Sequence, residues 1–289
     1  FRDRRFNVQN VFEVKGDVDA SMGNIDFAGD VIVRGNVREG YLIKSKGSIV
    51  VMGVVEGASL ISDGGITIQK GMNGMNKGII RTQKGLTSKY LENCTAHVKG
   101  DVISESIIYC NINCDGEVRA EGKHGAVIGG NIVVRKDLVA KVIGSENNSP
   151  TNIVLGVSPD VMNERGRLQK ELSNLVEQRK AIEVDMQYLA KLIKKGVPLN
   201  ESKVAQVRKL KIQDPMNKMR TDQVQRRLFE IEEAFGEADN SYLSCINIYP
   251  GVKITIGSRV LNITQPNVNC KYMIVDGDIG FLARSASQR

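Results

Sequence analysis

The chain has 289 residues, no Trp, seven Phe and seven Tyr, 29 Gly and a formal net charge of +7. That length allows one large domain or two modest ones, and a Gly-rich, aromatic-poor composition suits stacked strands better than a helical globule. No run of about 18 apolar residues occurs, which excludes a membrane-spanning helix, and the five cysteines form no CxxC pair, which points to reduced thiols in a cytosolic protein.

The chain opens on "FRDRRFNVQNVFEV", with neither an initiator Met nor an apolar leader, so a signal or a whole domain is expected upstream. This first segment is expected to cover one end of the fold. Next comes "GNIDFAGDVIVRGNVREG", where Gly23, Gly29 and Gly35 recur at six, each followed two residues later by an aliphatic. The aliphatics continue as Ile25, Val31, Val37, Ile43, Ile49, Val55 and Ile61. Neither a strand period nor a helix period gives six with a bend each time. One short strand plus one bend does, and three such units make a coil of about 18 residues that stacks at about 4.8 Å. The aliphatics are then expected inside the prism and the glycines at its bends, where a Cβ would collide with the next coil.

The spacing loosens beyond residue 65 but persists, with coil marks near 29, 47, 65, 85, 100, 116 and 130. Residues 15–156 are therefore read as about seven coils of a parallel β-helix. A β-sandwich would need hairpin signals such as Asn-Gly between alternating runs, and Asn73-Gly74 is the only Asn-Gly dipeptide.

The character changes at "GVSPDVMNERGRLQKELSNLVEQRKAIEVDMQYLAKLIKKG". Ser158 is a good N-cap, Pro159 suits the first helical position and Asp160 complements the helix dipole. Leu168, Leu172, Leu175, Arg179, Ile182, Met186, Leu189 and Ile193 follow steps of four and three, a heptad seam with one polar break. Gly196 to Pro198 should end this helix. A second, shorter helix is expected to stop before Pro215, and a third to run to about 237 with Val224, Leu228, Ile231 and Phe235 on one face. Residues 241–289 are β-like again, with turns at Gly251, Gly257 and Gly277, and are expected to complete or cap the β-helix. The expected organisation is thus a β-helix over 1–157 with an N-terminal capping strand, a helical hairpin over 158–240, and returning strands over 241–289.

The stretches "GDVDASMGNIDFAGDVIVRGNV", "GSIVVMGVVEGASLISDGGITIQKGMNGMNKGIIRTQKGL" and "GAVIGGNIVVRKDLVAKVIGS", followed by the helical hairpin and "IYPGVKITIG", resemble the flagellar assembly protein A family. They span nearly the whole chain in the family's order. The resemblance implies a right-handed parallel β-helix carrying a coiled-coil hairpin. The sequence is also similar to bactofilin-like polymer-forming modules. What it implies of function is a spatial or regulatory role tied to the flagellum, through protein contacts. The family carries no catalytic motif.

Hexapeptide repeats also build acyltransferases, but those place the aliphatic directly before the small residue, and here the order is G-x-[IV]. Such chemistry uses a histidine base. The chain has His97, expected on a strand surface, and His124, expected in a surface loop. Cys110 and Cys114 stand in a CxxxC spacing with no second pair, a weak zinc pattern. Cys94 and Cys110, nearly one coil apart, are better read as an interior ladder. No catalytic residue, cofactor or metal site is assigned.

The charge is uneven. Lys191 to Arg227 holds 11 basic and three acidic residues, +8, so the rest of the chain sums to −1. Lys191, Lys194, Lys195, Lys209 and Lys211 are the expected interaction residues. Such a stripe can attract an acidic protein or an anionic membrane surface. It holds no aromatic residue on which bases could stack, which argues against nucleic acid. The sequence reading is a non-enzymatic interaction scaffold in the cytoplasm, presenting a basic hairpin. A self-associating bactofilin-like polymer is the alternative and a hexapeptide-type acyltransferase the remote one.

Overall fold

The structure, a computed structural model, describes residues 10–195, 200–236 and 240–283. The expectations for residues 1–9, for the Gly196–Pro198 break and for the Phe235 side chain lie outside them.

Residues up to Pro159 and from Gly236 onward form one compact unit, and Asp160–Phe235 form another. The first unit is a mainly β solenoid with three faces. On one face the stacked interior residues are Ile25, Ile43, Leu60, Ile80, Ala96, Ile112, Ile132, Ile153 and Ile254, each paired in parallel with the next. These eight steps make a stack of about 38 Å at the strand spacing. Ladders on the other two faces include Val31, Ile49 and Ile66, and Val37, Val55 and Met72. All of these but Ile25 are within about 3% of full burial. Removing each from water is worth roughly 1.5–3 kcal/mol. The strand Val11–Val14 is the first rung, paired with Asp30–Val33.

The six-residue rule holds from Ile25 to Val55 and then slips by one. Leu60, not Ile61, is the interior residue, because Ile43 pairs with Leu60 at 17 residues rather than 18. Side chains alternate across a strand, so a one-residue slip puts Ile61 on the outer face. Turn length ranges from 16 residues, Ile80 to Ala96, to 21, Ile132 to Ile153.

Glycine marks two successive corners where turns pass close together. A Cβ at Gly47 would overlap Asp30 of the preceding turn, and one at Gly53 would overlap the carbonyl oxygen of Gly35. Gly130 is not part of the corner that holds Gly100 and Gly116. Lys136 follows Gly116 there, donating its N–H to the Gly116 carbonyl at 3.2 Å.

A hydroxyl ladder runs along the corner that holds Gly47. Ser45, Ser62 and Thr82 are buried and stacked. Their hydroxyls donate to the carbonyls of Gly29, Gly47 and Gly64 at 2.6, 2.6 and 2.5 Å. They also accept from the N–H groups of Gly47, Gly64 and Lys84 at 3.0, 3.0 and 3.2 Å. Each buried hydroxyl thereby meets both its donor and its acceptor needs.

The helical unit interrupts the solenoid without ending it. The strand Thr151–Leu155 precedes it and Leu243–Ile248 follows. After the insertion Leu243 stacks on Leu138, Ile248 on Ile143 and Ile254 on Ile153, all in parallel. The insertion therefore replaces one corner of the last turn. The remaining strands reverse direction: Arg259–Asn262 pairs antiparallel with Val252–Ile256, and Asn267–Val275 pairs antiparallel with Leu243–Ile248. They take up the edge hydrogen bonds of the last turn, which would otherwise be open to pairing. Gly251, Gly257 and Gly277 all have positive φ, 87°, 57° and 83°, as turn glycines do.

Candidate interaction surface

The second unit is two helices, α1 (Pro159–Lys194) and α2 (Glu201–Gly236). The hydroxyl of Ser158, the expected cap, donates to Asp115 Oδ1 at 3.3 Å. Asn200 caps α2: its side-chain oxygen accepts from the N–H of Lys203 at 3.0 Å.

α2 is one helix of 36 residues, and Pro215 lies inside it. A helix-interior proline removes a hydrogen bond and costs about 3 kcal/mol. Contacts to α1 on both sides of it oppose that cost: Leu210 packs with Ile182 and Leu189, and Asn217 Nδ2 donates to the Leu175 carbonyl at 3.2 Å. Helices in proteins are held chiefly by such packing, and here it overrides the local breaker.

The α1 seam is correct in part. Ile182 and Leu189 are buried and Leu168, Leu172 and Leu175 are half-buried, but Met186 and Ile193 are 40% and 56% exposed. Facing them, α2 offers Val207, Leu210, Asp214, Asn217, Thr221, Val224, Leu228 and Ile231 at alternating steps of three and four. The middle of that seam is polar, so apolar periodicity did not reveal it.

The ion pairs between the helices lie on one side of the hairpin, where Arg167, Lys170, Lys218 and Arg226 are nonetheless exposed and in no ion pair among the described residues. Toward the Pro159 and Gly236 ends, arginines bridge the helices: Arg220 to Glu171 at 2.6 Å, Arg227 to Glu164 at 2.7 Å and Arg165 to Glu232 at 3.4 Å. The hydrogen bonds from Arg220 and Arg227 hold Glu171 and Glu164 below the usual carboxylate range. Toward the α1–α2 connection the pattern ends. Lys191, Lys194, Lys195, Lys209 and Lys211 are exposed, Lys203 is half-buried, and none has an ion pair among the described residues. Lys191 and Lys194 in the last turn of α1 also complement its dipole. Lys209 and Lys211 sit about 12–15 Å along α2 from its start. Between them Met186, Leu189, Ile193, Val207 and Leu210 line a cleft of about 170 Å³, with Lys211 at its wall.

The other candidates stand on the solenoid. His97 Nδ1 accepts from Asn113 Nδ2 at 3.2 Å on an outer strand face, and His124 is exposed, its backbone N–H donating to Glu105 Oε1 at 3.2 Å. Cys94 and Cys110 are buried with their sulfurs 3.5 Å apart. The hydrogen bond to Cys110 and burial hold the Cys94 thiol well above the ordinary thiol range. Cys114 lies in the Ser45–Ser62–Thr82 ladder and donates to the Gly100 carbonyl at 3.1 Å. Burial pushes its thiol up to about 12. The CxxxC spacing therefore arises from two separate interior positions, one bonded to Cys94 and the other replacing a hydroxyl.

A parallel β-solenoid whose last turn is interrupted by an antiparallel helical hairpin defines the structural class of this chain. Residues 10–279 match the flagellar assembly protein A (FapA) β-solenoid domain. The chain belongs to that family. No curated protein and no solved structure matches it. No helix among the described residues is long and apolar enough to cross a membrane.

Proposed function

We propose that this chain is a non-enzymatic scaffold in flagellar assembly or polar placement, in which a rigid solenoid carries a helical hairpin whose basic end makes the contact with a partner. Membership of the family supplies the link to flagellar assembly. The observation that supports the contact is where the ion pairs between the helices lie: all of them, among the described residues, fall toward Pro159 and Gly236, and the exposed lysines near the connection join none. Exposed unpaired charges of one sign steer encounter with an opposite surface. The antiparallel strands on the last turn occupy the hydrogen bonds a stacking copy would need, and this favours the scaffold over an end-to-end polymer. Five cysteines in no disulfide suit the cytosol.

The test is complementation in a flagellated host that lacks the gene. One chain has residues 160–235 replaced by a short Gly/Ser linker, and another carries K194E/K195E/K209E/K211E, which takes the Lys191–Arg227 stretch from +8 to 0. Both should accumulate as folded protein and fail to restore swimming. Full swimming with either would refute the proposal.

A further inference from the structure

Near the α1–α2 connection the hairpin leaves apolar surface open where a folded unit would close it. The cleft between Met186, Ile193, Val207 and Leu210 measures about 170 Å³. That is below the roughly 300–1,000 Å³ of small-molecule sites, yet far more than the share of one water molecule, about 30 Å³. It suits an inserted side chain. Lys211 lines its wall, and Lys191 and Lys194 of α1, Lys195 just after it, and Lys203 and Lys209 of α2 belong to the same end of the hairpin. From Lys191 to Lys211 there are seven cations, counting Arg208, and Glu201 is the one acidic residue.

We propose that this cleft is the docking site for an acidic amphipathic helix of a partner protein. An apolar side chain of that helix enters the cleft, and its carboxylates meet the lysines of that end of the hairpin. The proposal rests on the scaffold reading above and names the chemistry of its partner. Charge complementarity selects the occupant, because a second copy of this end would bring seven like cations against seven. Geometry selects the helix. Two antiparallel helices present a groove that a third fills by ridge-into-groove packing, and helix-in-groove recognition reads apolar anchors at i, i+3, i+4 and i+7. Met186 and Ile193, seven apart on α1 and both exposed, supply such a ridge.

The probe is a fluorescein-labelled peptide of about 18 residues, roughly five helical turns. It carries Leu at i, i+3, i+4 and i+7 and Glu at most other positions. A second peptide has the same composition with the Leu spacing scrambled. Vesicles of phosphatidylcholine and phosphatidylserine form a third arm. All are titrated against the full chain, the K194E/K195E/K209E/K211E variant, and the uncharged M186Q/I193Q variant, whose fold is checked by far-UV circular dichroism. The amphipathic peptide should bind the parent at least about tenfold more tightly than the scrambled one, and M186Q/I193Q should erase that preference. If the two peptides bind the parent equally and only the lysine variant weakens them, the cleft proposal falls and the basic scaffold surface survives. If neither peptide binds, the acidic helix is wrong. Vesicle binding that needs Met186 and Ile193, without peptide binding, would make the occupant a lipid surface and also overturn the proposal.

Discussion

Leu60 and Ile61 are neighbours in sequence, and the solenoid assigns them opposite fates. Leu60 is fully buried between Ile43 and Ile80, while Ile61 faces outward on the same strand. Leu60→Asp removes a core side chain, which alone costs about 2–5 kcal/mol. It also places a carboxyl group among aliphatics, adding several kcal/mol more if no partner is found. The sum, at least about 5 kcal/mol, lies in the range of exceptional destabilisation. For a unit of this size it corresponds to a drop in Tm of roughly 10–20 °C. The buried carboxyl would have a raised pKa in the folded state, so its cost should shrink as pH falls toward about 4 and level off below that, where the unfolded chain is protonated too. Ile61→Asp should shift stability by about 1 kcal/mol or less. Thermal melts followed by far-UV circular dichroism compare the two. Equal losses, or a larger loss from Ile61→Asp, would refute the 17-residue turn.

Two further outcomes follow from named contacts. Ser62→Ala should cost about 1 kcal/mol by removing a buried hydroxyl that bonds Gly47 and Gly64, and Ser62→Cys should cost less, since Cys114 already serves at the equivalent place; denaturant titration would show a fault in this ladder if alanine proved the milder change. Burial raises the Asp137 pKa while its Oδ1 accepts the Tyr242 N–H at 2.9 Å. The stability that Asp137 contributes is therefore present below its unfolded pKa and lost as pH rises through the folded value. Asp137→Asn, which keeps an acceptor, should raise Tm at pH 7 relative to the parent, with the gap closing toward about pH 4. A lower Tm at pH 7 would contradict this sign.

What the sequence revealed depended on how strictly a period was kept. Ile25 to Val55 repeat at six because each strand and bend there uses six residues, and the whole stacking rule follows from them. At Ile61 one bend is a residue shorter, and no local signal marks the loss. Gly130 looked like one more corner glycine, but it pairs with Cys110 at a different corner. The hydroxyl ladder was hidden because Ser45, Ser62 and Thr82 read as ordinary strand residues until stacking brings each above a glycine carbonyl. In the hairpin, α1 announced itself through leucines, whereas α2 faces it with Asp214, Asn217 and Thr221. Pro215 obeyed its local rule in the sequence and lost to packing in the structure. The basic stretch was visible as a count. That its interhelical ion pairs all lie away from the connection needed the pairing of the two helices.

The central claim is that contacts in flagellar assembly are made by the basic end of the hairpin. Photo-crosslinking in cells tests it most directly, with a benzophenone amino acid placed at Lys194 or Lys211 and, for comparison, at the solenoid surface residues Lys70 and Lys84. The hairpin positions should yield a discrete adduct with a second protein, and the adduct should disappear when the neighbouring lysines are changed to Glu. Adducts of equal yield from the solenoid positions, or none from the hairpin while the solenoid gives one, would contradict it.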